Sequence, residues 1–304
     1  MSDVEIIEVA ARDGLQNQDV ALSTEDKLTL ISHLIAAGAK RLEVASFVNP
    51  KRVPQMADAE ALLKGLGRRP GITTIGLVLN EPGLERALRT EVDEIGVVAV
   101  ASDTFGIRNQ KQTSAESTAM AKRVIARARR EGRRVQVTIA VAFGCPFEGE
   151  VPAARVADMA RELATDLPLE IALADTVGVA VPAQVTKLVR AVREAVPGIP
   201  LRCHFHNTRN TGIANAWAAF EGGVTRLDAS AGGIGGCPFA PKATGNIATE
   251  DLIYLLEKSG IRTGFDLEQI CNLAPWLAHA LKLDRLPAMV SRAGAFPPKP
   301  VQNA

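Results

Sequence analysis

The chain has 304 residues, 47% of them hydrophobic, which is enough to bury a full core as one large α/β domain or as two smaller ones. Its 35 Lys+Arg against 34 Asp+Glu leave a net charge of +1. The basic pairs, such as Lys51-Arg52 and Arg129-Arg130, are scattered with almost no aromatics nearby, which argues against nucleic-acid binding. The longest apolar runs, such as Val97 to Ala101, are strand-length and far short of a bilayer span, so no membrane segment is expected. Four cysteines at wide spacing, without a CxxC, argue against a disulfide framework or a structural zinc site. The N-terminus enters a strand-like run without a signal core and no peroxisomal tripeptide ends the chain, so a cytoplasmic location is the expectation.

In chain order, short apolar or β-branched runs alternate with longer stretches of helical period, the pattern of a parallel sheet covered by helices. Strands are predicted near Glu5 to Val9, Arg41 to Ala45, Thr73 to Leu79, Glu94 to Val100, Arg134 to Ala140, Leu169 to Leu173, Leu201 to His206 and Arg226 to Ala229. About eight strands in a chain of this length close an α/β fold of the (β/α)8 TIM-barrel type. Ser23 with Asp26 and Thr113 with Glu116 read as capping boxes, and Gly38, Gly132 and Gly223 stand where helices end. A helix closing at glycine before a basic residue opens a strand occurs at residues 37–42 and again at 222–227, which favours one barrel over two domains. One catalytic domain is expected across 1–304, with the barrel reaching about residue 262 and additional C-terminal helices and a tail over 263–304. Leu267 to Leu283 has helical character, and the proline-bearing stretch from Gly294 to Ala304 reads as a terminal arm.

In such a barrel the chemistry sits where strands end and βα loops begin. Polar residues collect there: Arg12-Asp13 after the first strand, Glu43 and Ser46 at the end of the second, Ser102 after the fourth and Asp175 after the sixth. His204 and His206 end the seventh strand, and Cys237 and Asn246 lie beyond the eighth. His204 and His206, two of only four histidines, are spaced to point to one face of a strand and can converge on one metal ion. With Asp13 and Asn246 they form a mixed oxygen and nitrogen set suited to Mg²⁺ or Mn²⁺ rather than to a closed thiolate site. Asp13 alone could equally cap a turn, and Asn246 could cap the helix expected near Ala248. The loop Gly232-Gly233-Ile234-Gly235-Gly236-Cys237-Pro238 could carry a thiol over the barrel mouth for proton transfer. Cys145 has the same ambiguity with less support, whereas His33 and His279 lie within helical patterns and read as structural.

With these residues assembled, the chain resembles the 3-hydroxy-3-methylglutaryl-CoA lyase family of metal-dependent TIM-barrel lyases. The resemblance runs through the stretches 12–17, 46–51, 144–149 and 174–178, the histidine pair, Gly235-Gly236-Cys237-Pro238 and residues 245–251. It implies a divalent cation held by Asp13, His204, His206 and Asn246, catalysis by Arg12 and Cys237, and support from Glu43 and Asp175. It also implies an acyl-CoA thioester substrate, with Gln16 and Ser46 as candidate substrate contacts; a homo-oligomer is left open. The family continues the histidine pair with Asp-Thr-Tyr-Gly, where this chain has Asn207-Thr208-Arg209-Asn210, and Phe205 replaces the usual cysteine between the histidines. These departures bear on substrate identity, and Arg209 is a candidate to grip a distal carboxylate of the substrate.

The chemistry fits independently. Cleaving a 3-hydroxyacyl thioester between C2 and C3 needs a cation to acidify the hydroxyl, a cation such as Arg12 beside the enolate oxygen, and a proton donor such as Cys237. Asp175 or a histidine is the candidate hydroxyl base. Competing expectations are a condensing enzyme of the same barrel family that joins acetyl-CoA to a 2-oxo acid, an amidohydrolase-type hydrolase, and a catalytically silent metal-binding barrel. The hydrolase would place its His-x-His pair on the first strand, and the intact Arg12, Asp13 and Cys237 set argues against a silent barrel.

Overall fold

The computed structural model describes residues 2–236, 245–294 and 296. Eight parallel strands close a barrel: β1 (Glu5–Glu8), β2 (Arg41–Ser46), β3 (Thr73–Val78), β4 (Glu94–Val100), β5 (Arg134–Ala140), β6 (Ile171–Asp175), β7 (Leu201–Phe205) and β8 (Arg226–Ala229). They run in sequential order around the barrel, and β8 pairs back onto β1. Helices connect and cover them: α1 (Thr24–Ala36), α2 (Ala59–Leu66), α3 (Glu81–Leu88), α4 (Asp103–Gln110), α5 (Ser114–Arg130), α6 (Ala153–Ala164), α7 (Pro182–Ala195), α8 (Gly212–Glu221) and α9 (Thr249–Lys258). After these, α10 (Leu267–Ala280) packs beside the barrel against α1 and α9, and a last turn, α11 (Val290–Ala293), follows. The expected (β/α)8 architecture with additional C-terminal helices is the observed one. No helix among the described residues is long and apolar enough to cross a membrane.

Local chemistry sets the element ends. Thr113 Oγ1 accepts from the Glu116 amide (3.2 Å) while Glu116 Oε2 accepts from the Thr113 amide (2.8 Å), a complete capping box. Ser23 Oγ accepts from the Asp26 amide (3.1 Å) and donates back to Asp26 Oδ2 instead of closing the box through its own amide. The sixth strand lies two residues later than its sequence pattern suggests. Its Leu169 amide already bonds to the Val135 carbonyl (2.7 Å), but the regular ladder starts at Ile171 and runs on to Asp175.

Inside the barrel, alternate residues of each strand face the axis. The floor is charged: Arg41 donates to Glu94 (2.6 Å) and Glu170 (2.9 Å), and Arg226 donates to Glu170 (3.0 Å). Above it Ile7 of β1 and Val9 just after it form a small apolar cluster with Ile75 of β3, and the polar side chains of β2, β7 and β8 rise to the C-terminal mouth, while the outward faces of the strands pack into the helix layer. Phe205, between the two histidines, takes the outward side and stacks near Phe143, with ring centroids 5.8 Å apart. Phe205 therefore packs against the loop that follows β5 and away from the face the histidines share.

Candidate active site

The chain leaves β1 into a π-helical turn, Ala10–Gly14, which brings Arg12 and Asp13 over the barrel mouth. Such wide turns recur at functional sites, since an extra residue in the turn re-aims its neighbours. Arg12 is buried, its Nε donates to Glu43 Oε1 on β2, and its Nη1 donates to Asp13 Oδ1 (2.7 Å). Glu43 therefore fixes one edge of the guanidinium. Asp13 is placed opposite the seventh strand, with its Oδ2 3.9 Å from His206 Nε2.

On β7 the period of two brings His204 and His206 to the same side, with ring centroids 5.1 Å apart. His204 Nδ1 donates to Asp228 Oδ2 on β8 (3.1 Å), which leaves Nε2 as its basic nitrogen. Ligand atoms of Asp13, His204 and His206 all lie within 4.8 Å of one another. Asn246 arrives by pairing: residue 246 bridges His206 in antiparallel fashion, flanked by the Asn207 amide to the Gly245 carbonyl (3.0 Å) and the Ile247 amide to the Phe205 carbonyl (3.1 Å). Its Nδ2 donates to Asp13 Oδ2 (2.8 Å) and to the Ile234 carbonyl (3.1 Å), so it does not cap α9, whose N-cap is Ala248.

Three features fit a divalent cation at this point. The donor set is mixed carboxylate and imidazole with an amide oxygen beside it. Asn246 Oδ1 and His206 Nδ1 are buried without a hydrogen-bond partner among the described residues, and a buried acceptor of that kind calls for a missing partner. Electrostatics agree. Burial works against ionisation of Asp13, but the Arg12 guanidinium and the two imidazoles overcome it and hold the carboxyl well below the usual carboxylate range. Burial and the neighbouring His204 push His206 down to about 4, so it is a neutral imidazole at physiological pH, the form that can offer a lone pair to a cation.

A cavity of about 160 Å³ opens onto this constellation, lined by Arg12, Asp13, Gln16, Glu43, Thr138, Arg202, His204, His206, Asp228 and Gly236 among others. A wider cleft of about 740 Å³, lined by Lys40, Arg262 and Thr263, lies at the N-terminal ends of the strands and holds none of the candidate ligands. Gln16 is thus at the cavity, with a buried Oε1 that has no partner among the described residues, and Ser46 Oγ is buried in the same condition at the end of β2. Asp175 is buried at the end of β6, and its two oxygens accept from the Val179 (2.9 Å) and Ala180 (3.0 Å) amides. Burial raises its pKa, and the carboxylate holds the loop that follows β6. Arg209 is placed outside the cavity: it is exposed and donates to the Gly178 carbonyl (2.7 Å). Cys237 lies outside the described residues; Gly236 before it lines the cavity and its carbonyl accepts from Asn17 (2.9 Å).

Two buried carboxyls that the sequence pattern does not single out anchor the base of that glycine loop. Glu8 Oε1 accepts from the Ala10 (2.8 Å) and Ala231 (3.1 Å) amides and Oε2 from Thr249 Oγ1 (2.6 Å), while Glu250 accepts from the Gly232 amide (3.0 and 3.2 Å). Gly235, at φ 135°, passes so close that an added Cβ would lie 2.5 Å from Asn246 Nδ2, so only glycine fits there. Burial pushes Glu8 and Glu250 each up to about 7, and the charges of Asp251 and Glu8 add to the effect on Glu250. A carboxyl raised from 4.5 to about 7 contributes stability that is complete below 4.5 and lost as pH rises through 7. Glu250→Gln keeps an acceptor for Gly232 but cannot ionise. In thermal unfolding its Tm is expected to match wild type at pH 5 and to exceed it by about 2–4 °C at pH 8; an equal difference at both pH values would contradict this.

Asp228 and Arg202 also escape a sequence reading of the site. Their only local signal is a charged residue at the inward alternation of a strand, and their partners are set by cross-strand register.

A family model described as HMGL-like matches residues 3–276. The (R)-citramalyl-CoA lyase of Chloroflexus aurantiacus is 44% identical over 315 residues, covering 100% of this chain and 99% of that protein. A hydroxymethylglutaryl-CoA lyase of Bacillus subtilis is 40% identical over 274 residues, covering 90% and 92%. Among solved structures, an HMG-CoA lyase from Acinetobacter baumannii in complex with coenzyme A and 3-methylmalate superposes with a TM-score of 0.92 at 38% identity, covering 96% of this chain and 95% of that one. The order of motifs, the barrel and these similarities agree: the chain belongs to the HMGL-like family and is a lyase of the hydroxymethylglutaryl-CoA lyase kind.

Proposed function

We propose that the protein cleaves the C2–C3 bond of a 3-hydroxy-3-methyl dicarboxylic acyl-CoA thioester, hydroxymethylglutaryl-CoA or a close analogue, to acetyl-CoA and an oxo acid. The observation that supports this most is the convergence of Arg12, Asp13, His204, His206 and Asn246, from three separate parts of the chain, on one cavity. The relatives add the substrate class: hydroxymethylglutaryl-CoA and citramalyl-CoA, named in them, are both 3-hydroxy-3-methyl thioesters with a free carboxylate.

A divalent cation, Mg²⁺ or Mn²⁺, held by Asp13, His204, His206 and Asn246 would lower the pKa of the substrate hydroxyl and fix the substrate oxygens. The protein does the rest. The hydroxyl proton passes to a base, for which the Asp175 carboxylate is the candidate because both imidazoles of the site are committed to the cation, as C3 becomes a carbonyl and the C2–C3 electron pair moves onto C2. Arg12, steered by Glu43 and Asp13, stabilises the negative charge as it spreads onto the thioester oxygen. The Cys237 thiol protonates C2 and completes acetyl-CoA.

Cys237→Ser is expected to fold like wild type and lose at least about 100-fold in kcat, since a hydroxyl is a far poorer proton donor than a thiol with pKa near 8.5. A near wild-type rate would remove Cys237 from the mechanism. The reaction class is tested by product analysis on a panel of 3-hydroxyacyl-CoA thioesters with Mg²⁺ or Mn²⁺. Equimolar acetyl-CoA and oxo acid support cleavage; free CoA released from acetyl-CoA and a 2-oxo acid would replace it with the condensing reaction.

A further inference from the structure

We propose that Arg202 recognises the carboxylate carried by the oxo-acid half of the substrate; this rests on the lyase reading above and assigns its acid specificity to one residue. Arg202 stands two positions before His204 on β7 and so faces the same side, lower in the barrel. It is 2% exposed and lines the cavity. Its Nη2 donates to Thr138 Oγ1 (3.3 Å), and its Nε lies 3.4 Å from Glu170 Oε1 and 3.5 Å from Asp228 Oδ1. Nη1 is buried with no partner among the described residues.

A guanidinium is seldom buried with an unused edge, because each unmet N–H retains its desolvation cost. Charge balance alone does not account for it. Glu170 already accepts from Arg41 (3.0 and 2.9 Å) and Arg226 (3.0 Å). Register explains the opening. Thr138, Ala172 and Arg202 form one row across β5, β6 and β7, and Ala174 lies above Ala172, so small side chains separate the hydroxyl from the fork. A carboxylate entering there meets a bidentate donor already held in place from behind by Thr138 and Asp228. Arg209, the loop arginine with the same chemistry, points instead to the Gly178 carbonyl.

The test is equilibrium binding of uncleavable thioether analogues of hydroxymethylglutaryl-CoA and citramalyl-CoA, each as free acid and as methyl ester. Wild type is expected to bind the acid about 10- to 100-fold more tightly than the ester. The larger ratio of the two pairs shows whether the recognised carboxylate is attached directly to the carbinol carbon or one methylene away. In Arg202→Gln the preference is expected to fall below threefold, with Arg202→Lys, which keeps the charge and loses the fork, in between. Wild-type preference retained in both variants, or no preference in wild type, would overturn the assignment. So would failure of Arg202→Lys to fold, which would make Arg202 a structural counter-charge. If wild type prefers the acid but releases no acetyl-CoA from either thioester, the lyase reading fails and the binding assignment stands.

Discussion

Arg12→Gln is expected to lower kcat by about 10²- to 10³-fold, the usual effect of removing one donor aimed at a developing oxyanion. Arg12 is held on two sides, by Glu43 through Nε and by Asp13 through Nη1, so its remaining edge is preorganised over the cavity and need not reorient as charge develops. KM should change far less than kcat, because the interaction strengthens only as the enolate forms. Arg12→Lys, which keeps a positive charge without the fork, is expected to fall between the two. A kcat within tenfold of wild type in Arg12→Gln, in a protein that folds normally, would place the enolate elsewhere.

The second large effect is expected at His206. His206→Ala removes one of two imidazoles from a set with few alternatives among the described residues, and the lost charge stabilisation of several kcal/mol corresponds to a fall of about three orders of magnitude in cation-dependent turnover. The fold should survive, since His206 sits at the end of β7 and its bridge to residue 246 is made by backbone atoms. Steady-state turnover against Mn²⁺ concentration checks this; a His206→Ala enzyme that reaches the wild-type rate at ordinary Mn²⁺ would exclude the residue as a ligand.

Much of the site was legible in the sequence because its residues obey local periods. The inward alternation on β7 predicts that His204 and His206 share a face, and Arg12-Asp13 directly follows a strand, where a barrel puts its chemistry. Several strand limits match, and the sixth differs by two residues: the backbone of Leu169 and Glu170 already bonds to β5, but the regular ladder runs from Ile171 to Asp175. What the sequence does not carry is register. Asn246 reads equally well as a cap until its pairing with His206 is seen, and Asp228 becomes the partner of His204 only because β8 sets it in that row. Glu8 and Glu250 look like ordinary carboxylates in sequence, although their burial makes them anchors of the glycine loop. Arg209 illustrates the converse: a loop position close to a ligand in sequence, with a side chain turned to the neighbouring loop's backbone.

The most direct measurement follows acetyl-CoA release by exhaustively chelated protein as Mn²⁺ is titrated back against a saturating 3-hydroxy dicarboxylic acyl-CoA. If Asp13, His204, His206 and Asn246 together hold the cation that this cleavage needs, release is absent at the start and rises to a plateau at one ion per chain. Full release from the chelated protein, before any Mn²⁺ is added, would contradict it.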